Sequence, residues 1–367
     1  MHSSSATRHF SGSYAEARRK FLDAAAASGA AVESFVLDAH RGALGESLAT
    51  DIALLGAPGA AKLLIVSSGT HGPEGFCGSG CQVATLHDTD LLARLAQAGI
   101  ALLLVHAVNP HGFSHLHRTN EDNIDLNRNF RDFAQPLPVN AAYAEVHGFM
   151  VPATWPPAPE NEAKLGAYVA ARGPAALQAA VSGGQCQYPE GLFFGGRREA
   201  WSNTTLRAVM RTQGAARKRL VWLDVHTALG PWGHAEKILS GPDDPALIRR
   251  ARAWWGADVT SFHDGSSTSA PLTGVNFECA LEECPAAEYT GIALEYGTVP
   301  IAQTLDALRA DAWLRQHPDA PAPVRAAIKQ RMRDAFYGDS DAWRGMVYGQ
   351  ARAALFEAFV ALKANAG

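Results

Sequence analysis

The chain has 367 residues, of which 47% are hydrophobic and 19% are charged, and its formal net charge is -4. This composition is ordinary for a globular protein with one large core or two domains. It contains no lysine- or arginine-rich block and no apolar run near the roughly 18 residues of a membrane span, so neither a nucleic-acid nor a membrane partner is expected.

The amino terminus, Met1 to Ser5, is polar and lacks the apolar segment of a secretory signal. The five cysteines are odd in number and scattered, which favours a reducing compartment and no disulfide framework. Together these features predict a cytoplasmic protein. They leave its oligomeric state open.

The first third of the chain alternates helical and strand-like patterns. The predicted elements are a helix over 14–27, strands over 32–37, 52–55, 62–66 and 100–105, and a helix over 78–98. The last two strands are continuous apolar runs, which is typical of buried strands. A strand, a helix and a strand at this spacing form a βαβ unit and indicate a largely parallel sheet.

The middle of the chain changes character. Residues 113–132 are polar and loop-like, and a proline-rich segment follows them. Further along we predict a helix over 162–181, a glycine- and aromatic-rich loop over 183–196, and a helix over 200–213. We interpret residues 133–215 as an insertion that covers the active-site face of a single domain spanning 1–367.

The last part of the chain returns to alternating elements. Strands are predicted over 220–225, 237–240, 258–262 and 291–295, and helices over 244–255, 302–316, 323–335 and 341–364.

His71 and Glu74 lie three positions apart on a glycine-rich turn directly after the strand 62–66. An imidazole nitrogen and a carboxylate oxygen are both good zinc ligands, and a catalytic zinc needs three protein ligands and one open position. The best candidate for the third ligand is His226, at the carboxyl end of another apolar run. The sequence therefore predicts one zinc ion on these three residues.

Other polar residues also follow predicted strands, and the carboxyl ends of parallel strands meet at one edge of a sheet. Glu295 ends an apolar strand, where desolvation would raise its pKa and suit it to carry a proton during amide hydrolysis. Arg118 is the candidate for stabilising a tetrahedral oxyanion. Arg128, beside Asn127, offers a bidentate partner for a free carboxylate on the substrate.

Asp125 could accept the N–H of His71 that faces away from the metal and so fix the tautomer of the imidazole. It could equally cap the segment that follows it. Arg128 could instead cap a helix or pair with Asp125. For Asp224, support of a metal ligand and a plain acidic residue at a strand end are equally consistent with the sequence.

The motifs that contain these residues occur along the chain in an order that resembles the zinc carboxypeptidase superfamily of the M14 type. The resemblance covers residues 60–300. Within it, the pattern is similar to a branch of uncharacterised carboxypeptidase-like proteins, the DUF2817 group, and the aspartoacylase and succinylglutamate desuccinylase branch is also similar. The stretches that carry the resemblance are Gly69-Thr-His71-Gly-Pro-Glu74, Asn109-Pro-His-Gly112, Arg118, Asp125-Leu-Asn127-Arg128, Gly184–Gly196, Asp224-Val-His226 and Ala293-Leu-Glu295-Tyr296.

The resemblance implies a three-layer α/β/α sandwich with a mixed, mostly parallel, eight-stranded sheet. It implies zinc on His71, Glu74 and His226, with Glu295 as general base and Arg118 at the transition state. Asn127 and Arg128 would bind the substrate carboxylate. The chain departs from the pattern of digestive carboxypeptidases in one respect, because Tyr289 is the only tyrosine between His226 and Glu295 and lies too close to Glu295 to match their mobile tyrosine.

The expected function is hydrolysis of an amide next to a free carboxylate, with a small peptide as substrate. An N-acyl amino acid is the alternative substrate, which would make the protein a deacylase. A non-catalytic zinc-binding protein of the same fold is a further alternative, although it would be expected to lack Glu295. A serine hydrolase has little support, because the chain has no Gly-x-Ser-x-Gly motif.

Overall fold

The structure is a computed structural model that describes residues 6–364. The prediction that no secretory signal is present concerns Met1 to Ser5, which lie outside the described residues. Within 6–364, no helix combines the length and the apolar character that a membrane crossing requires.

The described residues form an α/β fold around one mixed seven-stranded sheet. The strands are β1 (Ala31–Arg41), β2 (Ser47–Leu55), β3 (Lys62–Ser68), β4 (Ile100–His106), β5 (Arg219–Trp232), β6 (Ala235–Leu239) and β7 (Glu288–Gly297). Their order across the sheet is β1-β2-β4-β3-β5-β7-β6. The four neighbours β4, β3, β5 and β7 are parallel, whereas β1, β2 and β6 join by antiparallel pairings.

The expectation of eight strands is wrong, because residues 258–262 do not form a strand. This segment meets β6 at a single bridge between Thr260 and Ile238. The chain then enters a run of turn residues from Phe262 to Gly265, where Gly265 has a φ of +75°. The turn carries the backbone away before a second residue can pair. The mixed character of the sheet is confirmed, although only three of its six pairings are parallel.

The described helices are α1 (Tyr14–Ala27), α2 (Gly75–Leu86), α3 (Thr89–Gln97), α4 (Pro110–His115), α5 (Ala141–Met150), α6 (Pro159–Arg172), α7 (Pro174–Ser182), α8 (Trp201–Val209), α9 (Pro245–Trp255), α10 (Glu278–Glu283), α11 (Ile301–Gln316), α12 (Ala322–Phe336) and α13 (Asp341–Ala364). Two predicted helices are each divided in two. Asp88 caps the start of α3 by accepting from the Leu91 N–H at 3.1 Å. Gly173, with a φ of +83°, and Pro174 separate α6 from α7.

Helices cover both faces of the sheet, and alternate strand residues show this directly. Leu64 and Val66 of β3 pack in one core cluster with α1, α2, α9 and α13. Leu63 and Ile65 point to the opposite face and pack with α8 and α10. Because successive side chains of a strand point to opposite faces, each strand contributes to both clusters.

A third hydrophobic cluster lies beside the carboxyl end of β5. It joins α5 and α7, which belong to the segment 133–215, to α11 and α12 through Tyr143, Leu177, Leu308 and Met332. Ala228 of β5 is part of the same cluster. The segment 133–215 is therefore anchored next to the sheet edge at which the polar motifs end.

Candidate metal centre

His71, Glu74 and His226 converge at the carboxyl ends of two adjacent parallel strands. His71 and Glu74 lie on the turn that follows β3, and His226 lies on β5. The Nδ1 atom of His71 is 2.8 Å from Glu74 Oε1, and the Nδ1 atom of His226 is 2.9 Å from Glu74 Oε2. One ligand atom from each residue lies within 4.8 Å of the others, so the three groups could hold one metal ion.

The second nitrogen of each imidazole faces another buried carboxylate. His226 Nε2 lies 2.5 Å from Asp224 Oδ2, and His71 Nε2 lies 3.2 Å from Asp125 Oδ1. When a cation binds at Nδ1, the carboxylate of Asp224 would keep the proton of His226 on Nε2. Nε2 of His71 faces both Asp125 and the guanidinium of Arg118. The donor set therefore fits a zinc ion, which is bound by imidazole nitrogen and carboxylate oxygen.

Asp224 is held by a dense network of donors. Ser67 Oγ donates to Oδ1 at 2.5 Å, and Asn276 Nδ2 donates to Oδ2 at 2.6 Å. Of the two interpretations left open by the sequence, the contact with His226 favours support of that imidazole. Asn276 carries no recognisable signal in the sequence, because its partner lies on a strand 52 residues away.

Asp125 makes both of the contacts considered for it. Besides facing His71, its Oδ1 accepts from the Asn127 N–H at 3.0 Å and caps a short 3-10 turn over Leu126–Arg128. Its own backbone N–H donates to the carbonyl of Phe194 at 2.7 Å, which ties it to the glycine-rich loop 183–196. One side chain thus orients both the metal-site imidazole and the turn that carries Asn127.

A close backbone approach fixes the turn that carries His71 and Glu74. A Cβ atom on Gly72 would lie 2.0 Å from the carbonyl carbon of Gly112 and 2.3 Å from the carbonyl oxygen of His117, so only glycine fits there. The Asn109 side chain accepts from the Gly112 N–H at 2.8 Å and donates to the Arg118 carbonyl at 3.3 Å. The motif Asn109-Pro-His-Gly112 therefore positions the loop that carries Arg118 against the turn.

The charges of the cluster stabilise one another. Burial alone would raise the pKa of Glu74, but His71 and His226 outweigh it and hold that pKa well below the usual range. Burial would lower the pKa of His226, but Asp224 and Glu74 hold it well above its usual value. In the metal-free protein the cluster therefore retains protons, and a divalent cation must displace them to bind.

Arg118 lies beside the cluster. Its Nε donates to Asp125 Oδ2 at 3.0 Å, and its Nη1 lies 3.4 Å from Glu74 Oε1. Its Nη2 is 2.9 Å from His71 Nε2. The guanidinium is only partly buried, and it faces the same cavity as the three ligands.

Glu295 is directly opposite His226 in the pairing of β7 with β5. Its Oε1 accepts a hydrogen bond from the Leu229 N–H at 3.0 Å. Burial raises the pKa of Glu295 to about 8, and the nearby Glu74 carboxylate adds to the shift. The direction agrees with the sequence-based expectation that a carboxyl group at this strand end would be desolvated.

Arg128 and Asn127 also line the cavity. Arg128 donates from Nη1 to the Asn127 carbonyl at 2.8 Å, and from Nε at 3.0 Å and Nη2 to the Ser182 carbonyl, so it does cap α7. Within residues 6–364 no carboxylate forms a hydrogen bond with Arg128, although the carboxylate of Asp125 is near enough to raise its pKa. Burial lowers the pKa of Arg128 to about 10.

Phe193 lies between the two arginines. The Arg118 guanidinium carbon is 4.7 Å from the centre of the Phe193 ring, and that of Arg128 is 5.4 Å from it. Phe193 has a φ of +50°, which is unusual for a residue with a side chain. The sequence indicates a glycine- and aromatic-rich loop here, but it gives no sign that the ring contacts both guanidinium groups.

A cavity of about 760 Å³ opens in front of these groups. It is lined by seven of the eight predicted site residues, all except Asp125. Among the described residues no tyrosine lines it, and Tyr289 is buried in the core on one face of the sheet. Tyr289 therefore does not face the cavity.

The sequence matches one family model over most of its length. The family described as "Protein of unknown function (DUF2817)" matches residues 10–350, and no curated protein matches the sequence. Solved structures with a similar fold include a metallo-carboxypeptidase from Pseudomonas aeruginosa, with 16% identity and a TM-score of 0.45 over 94% of this chain and 68% of that one. Thrombin activatable fibrinolysis inhibitor has 14% identity and a TM-score of 0.48 over 89% of this chain and 80% of that one. Carboxypeptidase A from Helicoverpa armigera is a third (14%, 0.42, 88% and 74%).

Proposed function

The chain belongs to the DUF2817 family, and we propose that this protein is a zinc-dependent hydrolase that cleaves an amide bond next to a free carboxylate, as a metallocarboxypeptidase does. One observation carries the proposal. Two imidazoles turn Nδ1 toward Glu74, and each has a buried carboxylate behind its Nε2. This is the arrangement of a metal site with one side open to a cavity, rather than that of a surface ion pair.

Zinc on His71, Glu74 and His226 would supply an acidified water molecule and a polarised scissile carbonyl. Glu295 lines the same cavity and would take the water proton and pass it to the leaving amine nitrogen. Because burial raises its pKa toward neutral, it can both accept and return that proton near neutral pH.

Arg118 would donate N–H groups to the oxygen that becomes negative as the carbonyl is attacked. Its contact with Asp125 holds the guanidinium in place before the substrate binds. A group fixed in this way loses little freedom during the reaction, which is how a preorganised donor lowers the barrier.

Arg128 would bind the free carboxylate together with Asn127. A guanidinium has five N–H donors, and three of those of Arg128 donate to backbone carbonyls. The remaining two can bind a carboxylate in the cavity. A buried guanidinium without a carboxylate partner is costly, and a substrate carboxylate would offset that cost.

An N-acyl amino acid presents the same amide and the same carboxylate, so a deacylase of the same mechanism is the second candidate. The non-catalytic alternative is disfavoured because Glu295 and Arg118 both line the cavity. We also propose that residues 133–215 are an insertion over the active-site face of one domain, since α6 and α7 contribute to the cavity wall.

The test combines metal analysis with a substrate panel. The purified protein should bind one zinc ion per chain and hydrolyse short peptides or N-acyl amino acids, and a chelator should abolish the activity. Glu295→Gln should lose turnover and keep its zinc. Glu288→Gln, an exposed residue of the same strand, is the matched control and should remain active. A fully active Glu295→Gln variant, or a protein that binds no zinc, would refute the proposal.

A further inference from the structure

Some of the apolar residues that line the cavity belong to, or pack against, the core cluster on one face of the sheet, and we call the space beside them the inner chamber. Its floor is the sheet, and its wall is the loop over residues 262–277. The apolar residues that form it are Ile238, Phe262, Leu272, Val275, Phe277 and Ala293.

Ala293 marks the point at which the chamber reaches the sheet. It is two residues before Glu295 on β7, so the two side chains share one face. Its partners in the sheet are Asp224 on β5 and Ile238 on β6. The pair formed by His226 and Glu295 lies two residues further along the same two strands, β5 and β7. Ala293 lies between two neighbouring strands and yet is only half-buried, because its small side chain leaves the chamber open.

The chamber adjoins the proposed carboxylate-binding pair. The backbone N–H of Asn276, on the chamber wall, donates to Asn127 Oδ1 at 3.1 Å. The Gly274 carbonyl in the same loop accepts from the Phe130 N–H at 3.1 Å. A substrate group in the chamber would therefore lie close to the carboxylate bound by Arg128. The side chain of a carboxyl-terminal residue has this relation to its own carboxylate, because both are attached to the same Cα atom.

The chamber offers no unpaired counter-ion. Asp224, which lies beside Ala293 and lines the cavity, already accepts hydrogen bonds from His226, Ser67 and Asn276. Apart from Asp224, Glu295, the three candidate metal ligands and the two arginines, the charged residues that line the cavity among the described residues are Glu162, Asp306 and Arg309, on α6 and α11 rather than on the chamber wall. The polar groups on the chamber side are neutral: Ser240, Ser269 and Asn276. A charged side chain placed there would lose its hydration without gaining a counter-ion.

We propose that the carboxylate-bearing residue of the substrate has a large uncharged side chain, aliphatic or aromatic, that fills the inner chamber, and that Ala293 determines this specificity. The inference rests on the proposed function, because it assumes that Arg128 binds the carboxylate. It excludes substrates that end in aspartate, glutamate, lysine or arginine as preferred ones.

The first experiment uses zinc-loaded protein and N-acylated dipeptides that differ only in the terminal residue: Phe, Leu, Gly, Asp or Lys. We expect kcat/KM for Phe and Leu to exceed that for Gly by about 10- to 100-fold, the gain from burying a side chain of that size. Asp and Lys should fall at or below Gly. A preference for Asp or Lys would overturn the inference while leaving the hydrolase proposal intact.

The second experiment changes the floor of the chamber. Ala293→Leu should fill the space and bring the Phe-to-Gly ratio close to one, and Ala293→Val should lower it partly. The control is Ala302→Leu, on the outer side of the same cavity, which should leave the ratio unchanged. A ratio unaffected by both changes at Ala293 would refute its assigned role.

A binding measurement separates this inference from the proposed function. Calorimetric titration of the zinc-loaded wild-type protein with N-acetyl-phenylalanine, N-acetyl-glycine and N-acetyl-aspartate requires no turnover. Tighter binding of the phenylalanine derivative, by about tenfold or more, would support the chamber assignment even if no amide were cleaved. Equal affinities, or tighter binding of the aspartate derivative, would overturn it.

Discussion

Asp224→Asn should weaken zinc binding while leaving the fold in place. Asp224 accepts hydrogen bonds from His226, Ser67 and Asn276. Asparagine has nearly the same shape, and its one oxygen can still accept from His226 and Asn276. Its amino group must then face Ser67, whose hydroxyl oxygen already accepts from Trp222 Nε1 at 2.6 Å and has a second lone pair for the new donor.

The size of the effect follows from the lost charge. A hydrogen bond to an ionised group contributes about 1.5–3 kcal/mol, against about 0.5–1.5 kcal/mol for a neutral pair. The bond from His226 Nε2 should therefore weaken by about 1–1.5 kcal/mol, which corresponds to a roughly tenfold lower zinc affinity. This agrees with the lower end of the 10- to 100-fold range, roughly, that is typical when the partner of a metal-binding histidine is changed.

Zinc affinity can be measured by competition with a chelator of known affinity, alongside thermal unfolding of the metal-free protein. The matched control is Asp51→Asn. Asp51 is equally buried on β2, where it accepts from Arg18 and Ser34 far from the metal site. This variant should lose stability and keep its zinc affinity. Unchanged affinity in Asp224→Asn, or an equal loss in both variants, would refute the reasoning.

Three further outcomes are expected. Phe193→Leu should remove the ring that contacts Arg118 and Arg128 and lower kcat/KM by roughly 2- to 30-fold, and Phe193→Tyr should restore the activity. Steady-state kinetics at unchanged zinc content would check this. A fully active leucine variant would contradict it. Burial lowers the pKa of His106 to about 4, so the contribution of His106 to the free energy of unfolding should fall by roughly 3 kcal/mol between about pH 6.5 and pH 4, as the unfolded chain takes up a proton that the folded one does not. Denaturant titrations should show a smaller fall in His106→Gln, and an identical pH profile would contradict the assignment. Zinc affinity itself should decrease as pH falls, with protons released on binding in calorimetry, because His71 and His226 must be deprotonated at Nδ1; a pH-independent affinity would exclude these ligands.

The convergence of the candidate metal ligands could be predicted from the sequence because each follows a recognisable strand. The run 62–66 was predicted as a strand and is observed as Lys62–Ser68, which leads directly into the turn of His71. His226 and Glu295 end two more apolar runs that pair in parallel. Local patterns were sufficient here, since the carboxyl ends of parallel strands converge whatever the loops between them do.

The remaining features depend on contacts between distant parts of the chain. Residues 258–262 have the pattern of a strand, but a turn ends their pairing after Thr260. Helix α5 was not predicted because it lies among prolines, and its buried face packs against α7, more than twenty residues later. The capping of α7 by Arg128 joins residues 54 positions apart. No local pattern contains that information.

The missing side chain at Gly72 has a consequence for engineering. Two backbone segments from different parts of the chain touch there with no space between them. Transplanting the short His-x-x-Glu sequence into another scaffold would therefore not reproduce its conformation, because that conformation depends on backbone packing against the segment from Asn109 to Arg118. Any redesign of this corner has to carry both pieces together.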